Sequence, residues 1–463
     1  MTLNTLAREK GTWKWGLLCL LFLAPFFFLS YGFANQYAAG LVEVNSIVFE
    51  WEKHIPLWPW TIVPYWSIDL FYGLSLLLCW NKFELKQHAL RLFSAQLIAI
   101  SCFILIPLKF SFERPELHSF FGLWFDVLMG FDKPFNQMPS LHIVLLVILW
   151  DFYRRHTHGV VKHLVDLWSF LIGISILTTW QHHFIDLPTG LIVGSLCLWL
   201  FPLTMRSPFN KDHFQVLTPK HLKLGSYYLF ASLLFCLIAY LFKGVLLWLL
   251  YPALSLFLVC LAYFLVRPHF FQKMQTGQMS IAAWILFLPY ITFAFLNSRI
   301  WTKKHPEDSL ILEIRNHQMY LGRFPNAQHA EQYALLFDCC AELPLSKPSL
   351  QHQISINHYA AYLSLDLIPL QANQLQHAVE KLDLLYQQFG VLDSQQPNLL
   401  IYCALGYSRS SAVLAAWLIK NQYCHNTNEA LLLIQKNRPW VVLKLDQIKN
   451  INLYALKLKG LAP

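Results

Sequence analysis

Asn398-Leu-Leu-Ile-Tyr402, then Cys403-Ala-Leu-Gly406-Tyr-Ser408-Arg409, then Ser410-Ser-Ala-Val-Leu-Ala-Ala-Trp-Leu-Ile-Lys420 follow one another without a break. The first run reads as a short buried strand and the third as a helix. Between them lies a tight turn with a cysteine at one end and an arginine at the other. Backbone N–H groups of such a turn, at a helix N-terminus, make a cradle for a phosphate dianion. Arg409 adds a planar fork that pairs two phosphate oxygens. The same positive field favours the Cys403 thiolate. Gly406 lets the backbone turn close to the ligand, and Gly406 and Ser408 are expected to line the cradle. Ser410 can donate to the sulfur when it leaves phosphorus.

A thiolate that takes a phosphoryl group needs an acid to protonate the leaving oxygen and then to activate water. Asp366, in Tyr362-Leu-Ser-Leu-Asp366-Leu-Ile-Pro369, follows an apolar strand-like stretch and precedes a proline-marked loop, so it is the first candidate. Asp383, on an expected helix over 375–389, and Asp393, close to the strand feeding Cys403, rank below it. Further out, residues 301–463 have ordinary charge density and the size of one domain. The pattern over this segment is α/β.

This segment resembles the signature of dual specificity phosphatases in the protein tyrosine phosphatase superfamily. The resemblance covers about residues 317–455 and includes Tyr320-Leu-Gly-Arg-Phe-Pro325, the Asp366 loop and Gly406-Tyr-Ser-Arg-Ser410. It implies a phosphocysteine mechanism without metal or cofactor, with Cys403 as nucleophile, Arg409 binding phosphate and Asp366 as general acid. Tyr402 stands where the family usually has histidine. The loop lacks the extra lysines of relatives that take highly phosphorylated inositides, so a simple phosphomonoester is the expected substrate.

Upstream of residue 300 the chain changes character. Of its 463 residues 56% are hydrophobic and 13% charged, against about a quarter charged in an ordinary soluble chain. Apolar runs such as 13–34 and 246–266 reach the roughly 20 residues that cross a bilayer as a helix. Spans are expected near 13–34, 59–80, 89–108, 140–153, 164–181, 184–203, 226–242 and 245–266, which makes a bundle of about eight. The first run is read as a retained span, not a cleaved leader. The net charge of +9 does not indicate nucleic acid, because Arg8, Lys10, Lys82, Lys86, Arg91, Arg154, Arg155, Lys162, Arg206, Lys211 and Lys220 flank apolar runs. That is positive-inside anchoring. Ile281 to Leu296 is short, contains Pro289 and carries Trp284 and Tyr290, so it is expected to lie in the interface. The chain is then an integral protein of a bacterial inner membrane with its C-terminal domain in the cytoplasm. Ten scattered cysteines show no disulfide or metal-ligand spacing.

A second constellation sits in the membrane half. Met138-Pro-Ser-Leu-His142 opens one span, and His182-His-Phe-Ile-Asp186-Leu-Pro-Thr-Gly190 lies between two later ones, both expected on the outer face. At i and i+4, His182 and Asp186 share a helical face. The carboxylate there can set the histidine tautomer and stabilise its cation. These residues, over about 59–205, resemble the type-2 phosphatidic acid phosphatase superfamily, in particular its inositol phosphorylceramide synthase branch. The resemblance implies a phosphohistidine on His182 oriented by Asp186, with His142 protonating the leaving group of a lipid phosphate or diphosphate. The family's first motif is approximated by Lys109-Phe-Ser-Phe-Glu-Arg114-Pro115, two residues short, and position 176 is isoleucine where many members have arginine. Lys109, Arg114 and Lys133 are the available phosphate-binding cations.

The sequence thus points to a multi-span membrane phosphatase with two heads and membrane lipids as surroundings. One head would hydrolyse or transfer lipid phosphate, and the other would hydrolyse a phosphorylated lipid or protein by the cysteine route. The alternatives are a lipid headgroup phosphotransferase regulated by a phosphate-sensing C-terminal domain, a binding module without turnover, and a transporter. The last is disfavoured by the absence of an internal repeat.

Overall fold

The computed structural model describes residues 7–118, 120–131, 133–210, 216–314, 317–346, 359–388 and 398–461; Asp393 and Lys211 lie outside them. Two compact units emerge, Met1–Ser207 and Pro208–Pro463.

The first unit is a helical bundle of α1 (Thr12–Ala39), α2 (Ile62–Leu77), α3 (Lys82–Leu105), α4 (Phe120–Phe131), α5 (Leu141–His156), α6 (Gly159–Thr178) and α7 (Asp186–Leu200). The larger of two apolar clusters described in its interior includes Leu92, Phe103, Val144, Ile148 and Phe152. Leu29, Phe33, Leu105 and Phe170 are exposed on its outside, the inverse of a water-facing bundle. Two glycines set the approach of α5 and α7. A Cβ on Gly190 would stand 2.7 Å from Cβ of Ile143, and one on Gly194 2.7 Å from Cβ of Val147. Only hydrogen at these positions lets the two helices meet.

Four sequence expectations change here. No span is expected over 109–138, and the structure places the 12-residue helix α4 there, burying Phe125 and Leu128 against Ile62 and Tyr65. The expected spans at 59–80, 140–153 and 184–203 are helices of 16, 16 and 15 residues. Arg91 and Arg155 are not simple loop anchors. Arg91 is buried and paired with Asp151 at 3.0 Å, and Arg155 reaches Glu84 at 2.8 Å. The fourth concerns Ile281–Leu296, which is part of a 21-residue helix.

The second unit begins with α8 (Pro219–Phe242), α9 (Leu250–Phe264) and α10 (Ile281–Trp301). Among the described residues six helical segments are long and apolar enough to cross a membrane, by length and composition: α1, α3, α6, α8, 244–264 and α10. The sheet follows, built from β1 (Ser309–Ile314), β2 (His317–Arg323), β3 (Leu335–Cys340), β4 (Tyr359–Ser364) and β5 (Asn398–Cys403). Its order is β1-β2-β5-β3-β4, with only β1 antiparallel to its neighbour. The remaining helices are α11 (Ala327–Ala330), α12 (Ala372–Tyr386), α13 (Arg409–Lys420), α14 (Thr427–Asn437) and α15 (Leu445–Leu458).

Strand alternation assigns the two sheet faces. Phe337, Leu399, Ile401 and Cys403 join the core with Leu375, Val413, Trp417 and Ile451 of the helices. Residues of the other face, Asp338 among them, meet the segment between α9 and α10. There Lys273 makes an ion pair with Asp338, both side chains fully buried, and donates to the Cys340 carbonyl at 2.7 Å. The compositional boundary near residue 300 is therefore not the packing boundary. Hydropathy reports which solvent a helix faces, whereas compactness follows contacts, and α8–α10 pack in one unit with the sheet.

Candidate functional site

At the centre of the sheet β5 ends in Cys403, and α13 begins at Arg409, as the strand–turn–helix reading requires. The turn is folded around the sulfur. Gly406 N donates to Cys403 Sγ at 3.3 Å and Ser410 Oγ at 3.3 Å. Gly406 has φ +70, and a Cβ there would collide with the Gly322 carbonyl, so glycine is required twice over. Burial pushes the Cys403 thiol up, but the Arg409 charge, the Ser410 hydroxyl and the N–H groups of Ser410 and Gly406 outweigh it and bring it below its ordinary value. At Cys339 and Cys340 on β3 burial outweighs the charges of Arg409 and Lys273, and both thiols are pushed well above their ordinary value. Tyr402, where the family motif has histidine, is fully buried beside Asp338 of β3 in the sheet register.

Arg409 is held by groups the sequence did not single out. Its guanidinium pairs with Glu342 at 2.5 and 3.0 Å and donates to the Ser364 carbonyl at 2.8 Å. Asp366 Oδ1 lies 3.0 Å from Nη2 of the same group. Asp366, Arg409 and Cys403 are thus brought together. The Asp366 side chain is 36% exposed, and its partial burial shifts the carboxyl upward from its ordinary value, opposed by Arg409 and supported by Glu342. Glu342 is the opposite case: burial would raise it, and Arg409 holds it below its usual value. Two neighbouring carboxylates are therefore pushed apart in proton affinity, one kept anionic and one biased towards the acid form. Asp383 is occupied elsewhere, on α12 with Lys420 at 2.5 Å.

Other supports also went unread. The Ser408 hydroxyl accepts from Gln447 Nε2 of α15 at 2.7 Å and donates to its Oε1 at 3.1 Å, so its contribution to the cradle falls to its backbone. Arg438, fully buried, donates to the Gly406 carbonyl at 3.1 Å and to the Glu307 carbonyl at 3.0 Å. From the apolar helices, Ser298 of α10 donates to the Ala404 carbonyl at 2.5 Å, and Tyr263 of α9 to the Asp366 carbonyl at 3.0 Å. Glu342, an acidic residue directly after the strand-like stretch Leu335–Ala341, had a usable signal in its position; the others carry none in linear sequence.

In the first unit, His182 Nδ1 lies 3.2 Å from Asp186 Oδ2, and the His142 and His182 rings are 6.3 Å apart. The pair does not share a helical face. His182 lies in the turn before α7, and Asp186 is the first residue of that helix. A carboxylate at a helix start also takes N–H groups of its own turn, here His183 N at 3.0 Å. His142, on α5, stacks on Tyr65 at 4.0 Å. Arg114 braces the turn, donating to the Thr179 and Trp180 carbonyls at 3.1 and 2.9 Å. Lys109 and Lys133 are exposed. His183 is buried on Glu52 at 3.0 Å; burial pushes that carboxyl up, and His183 with the N–H groups of Phe49 and Phe184 brings it below its ordinary value. Among the described residues no three His, Cys, Asp or Glu side chains gather as a metal-binding set.

Residues 319–457 match the family model of the dual specificity phosphatase catalytic domain. No curated protein matches the chain. Similar solved structures include PTPMT1 in complex with PI(5)P, 17% identical, covering 31% of this chain and 92% of that one with a TM-score of 0.26. A leucine rich repeat and phosphatase domain containing protein from Entamoeba histolytica is 13% identical over 35% of this chain and 99% of its own, with a TM-score of 0.25. Human DUSP28 is 14% identical over 34% and 98%, with a TM-score of 0.26. The C-terminal part of this chain carries a dual specificity phosphatase catalytic domain, and the protein is a phosphoric monoester hydrolase.

Proposed function

We propose that the cysteine site hydrolyses a phosphomonoester carried by a membrane lipid. The Cys403 thiolate attacks phosphorus while Arg409 pairs two non-bridging oxygens, and the ester P–O bond breaks as Asp366 gives its proton to the leaving alkoxide. The Asp366 carboxylate then takes a proton from water as that water attacks the phosphocysteine. Phosphate leaves, and the thiolate is recovered with Ser410 donating to it.

The observation that carries the substrate class is the lie of α10. Gly277, just before it, accepts from Leu345 N at 2.9 Å, and Ser298, near its far end, donates to Ala404 beside Cys403. A helix of 21 residues is about 30 Å long. With both ends against the same domain, it runs along the active-site side instead of leading away from it. One face of α10 is buried through Ala283, Leu286, Phe287, Tyr290 and Ile291, while Ile281, Trp284, Phe293, Leu296 and Ile300 are exposed. An exposed apolar face of this length suits the hydrocarbon boundary of a bilayer, which sets the phosphate cradle at headgroup depth. The test is phosphate release by purified full-length protein in mixed micelles. Lipid phosphomonoesters should be turned over and phosphopeptides left, with loss in Cys403→Ser; a preference for phosphopeptides would sink the lipid reading.

A second reading concerns the first unit, and the contact of His182 with Asp186 beside His142 favours it. We infer hydrolysis or transfer of lipid phosphate, His182 Nε2 taking the phosphoryl group while Asp186 holds Nδ1–H, with His142 protonating the leaving oxygen.

A further inference from the structure

Tyr263 lies in the last turn of α9 and is 1% exposed. Its ring packs 5.2 Å from that of Tyr228 on α8, which in turn lies 5.8 Å from Tyr290 on α10. Each apolar helix of the second unit thus contributes one tyrosine to a shared cluster. From it the Tyr263 hydroxyl reaches out to the Asp366 carbonyl, a backbone atom of the acid loop.

The loop at that point is strained. Leu367, directly after Asp366, has φ +59 and a side chain 54% exposed. A left-handed conformation is unfavourable for a non-glycine residue, and a side chain more than half exposed has little burial to offset it. The Asp366 carboxylate touches Arg409, yet that ion pair cannot be the anchor when it matters. To act as the acid, Asp366 must be neutral, and Arg409 must turn its donors to phosphate. The carbonyl anchor does not depend on either charge.

We propose that Tyr263 is a positioning residue for the general acid: a hydroxyl from an apolar helix holds Asp366 over the cysteine site through its own carbonyl. The proposal rests on the reading of Asp366 as general acid, and it makes α9 part of the phosphatase machinery. Its consequence is specific to leaving group, because an acid matters most where the departing oxygen is most basic.

The experiment measures kcat and KM of the full-length protein on soluble phosphomonoesters, from acidic phenols to a simple alkyl phosphate. Tyr263→Phe is expected to lower kcat on the alkyl phosphate about 10- to 100-fold, to leave KM nearly unchanged, and to affect the most acidic phenol least. Leu367→Gly, which removes the strain, should restore part of the loss when combined with Tyr263→Phe. Equal loss on every leaving group, or none on the alkyl phosphate, overturns the proposal. Asp366→Asn run in parallel separates the two ideas. A steep leaving-group dependence in Asp366→Asn with a wild-type pattern in Tyr263→Phe overturns the positioning role alone. A wild-type pattern in Asp366→Asn overturns the acid assignment and the positioning role together.

Discussion

At Cys403 burial and charge pull in opposite directions, and charge wins through one guanidinium, one hydroxyl and two N–H groups. At Asp366 burial wins over the same guanidinium. The two shifts have a common outcome: each group is moved towards the protonation state that its proposed role requires. Activity needs the thiolate, so it should rise as pH climbs through the lowered thiol pKa. It needs the neutral carboxyl, so it should fall as pH climbs through the raised carboxyl pKa. The expected kcat profile is a bell whose rising limb is the thiol and whose falling limb is the carboxyl, and Asp366→Asn should flatten the falling limb while lowering the plateau about 10²- to 10³-fold. A falling limb unchanged in that variant would remove Asp366 from the acid's role. The Tyr402 substitution does not leave the thiol unactivated, because its neighbours supply the field.

Elements that sequence reading separates are joined by single side chains. Lys273, between α9 and α10, crosses to Asp338 on the sheet face that α12–α15 leave uncovered. Removing one member of a fully buried pair strands the other charge at a cost of about 3–5 kcal/mol. Lys273→Met should therefore lower the thermal midpoint of the C-terminal domain sharply. The double variant with Asp338→Asn should recover much of that loss. A Lys273→Met protein as stable as wild type would mean the pair is dispensable. Gly190 and Gly194 do comparable work by absence, letting α5 bring His142 to the start of α7.

Across the whole molecule the two constellations belong to different compact units. Their chemistry is expected to separate by mutation. Cys403→Ser should abolish phosphomonoester hydrolysis and leave any lipid phosphate transfer to an added lipid alcohol. His182→Ala should do the reverse. If Cys403→Ser leaves all phosphate release intact, the C-terminal site is a sensor; if His182→Ala changes nothing, the first unit's histidines are structural. The assay is phosphate and lipid-product analysis on full-length protein, so both outcomes are read in one preparation.

The local reading was decided by the sequence itself. A strand, a seven-residue turn and a helix are neighbours along the chain, so periodicity placed Cys403, Gly406, Arg409 and Ser410 with respect to one another. Asp366 was legible because an acidic residue after an apolar strand and before a proline stands out locally. The apolar character of α1, α3, α6, α8 and α9 was equally plain, since hydropathy is a property of composition. Tertiary structure alone decided what lies across space. Glu342 and Arg438 brace the cradle from 67 and 32 residues away, Tyr263 reaches the acid loop over 103, and Lys273 pairs with Asp338 over 65. None of these separations leaves a period in the chain. It also decided that His182 and Asp186 meet across a turn, not along a helix, and that α8–α10 pack with the sheet. Solvent preference is written residue by residue, whereas the partner of a buried polar group is selected only once the chain has folded.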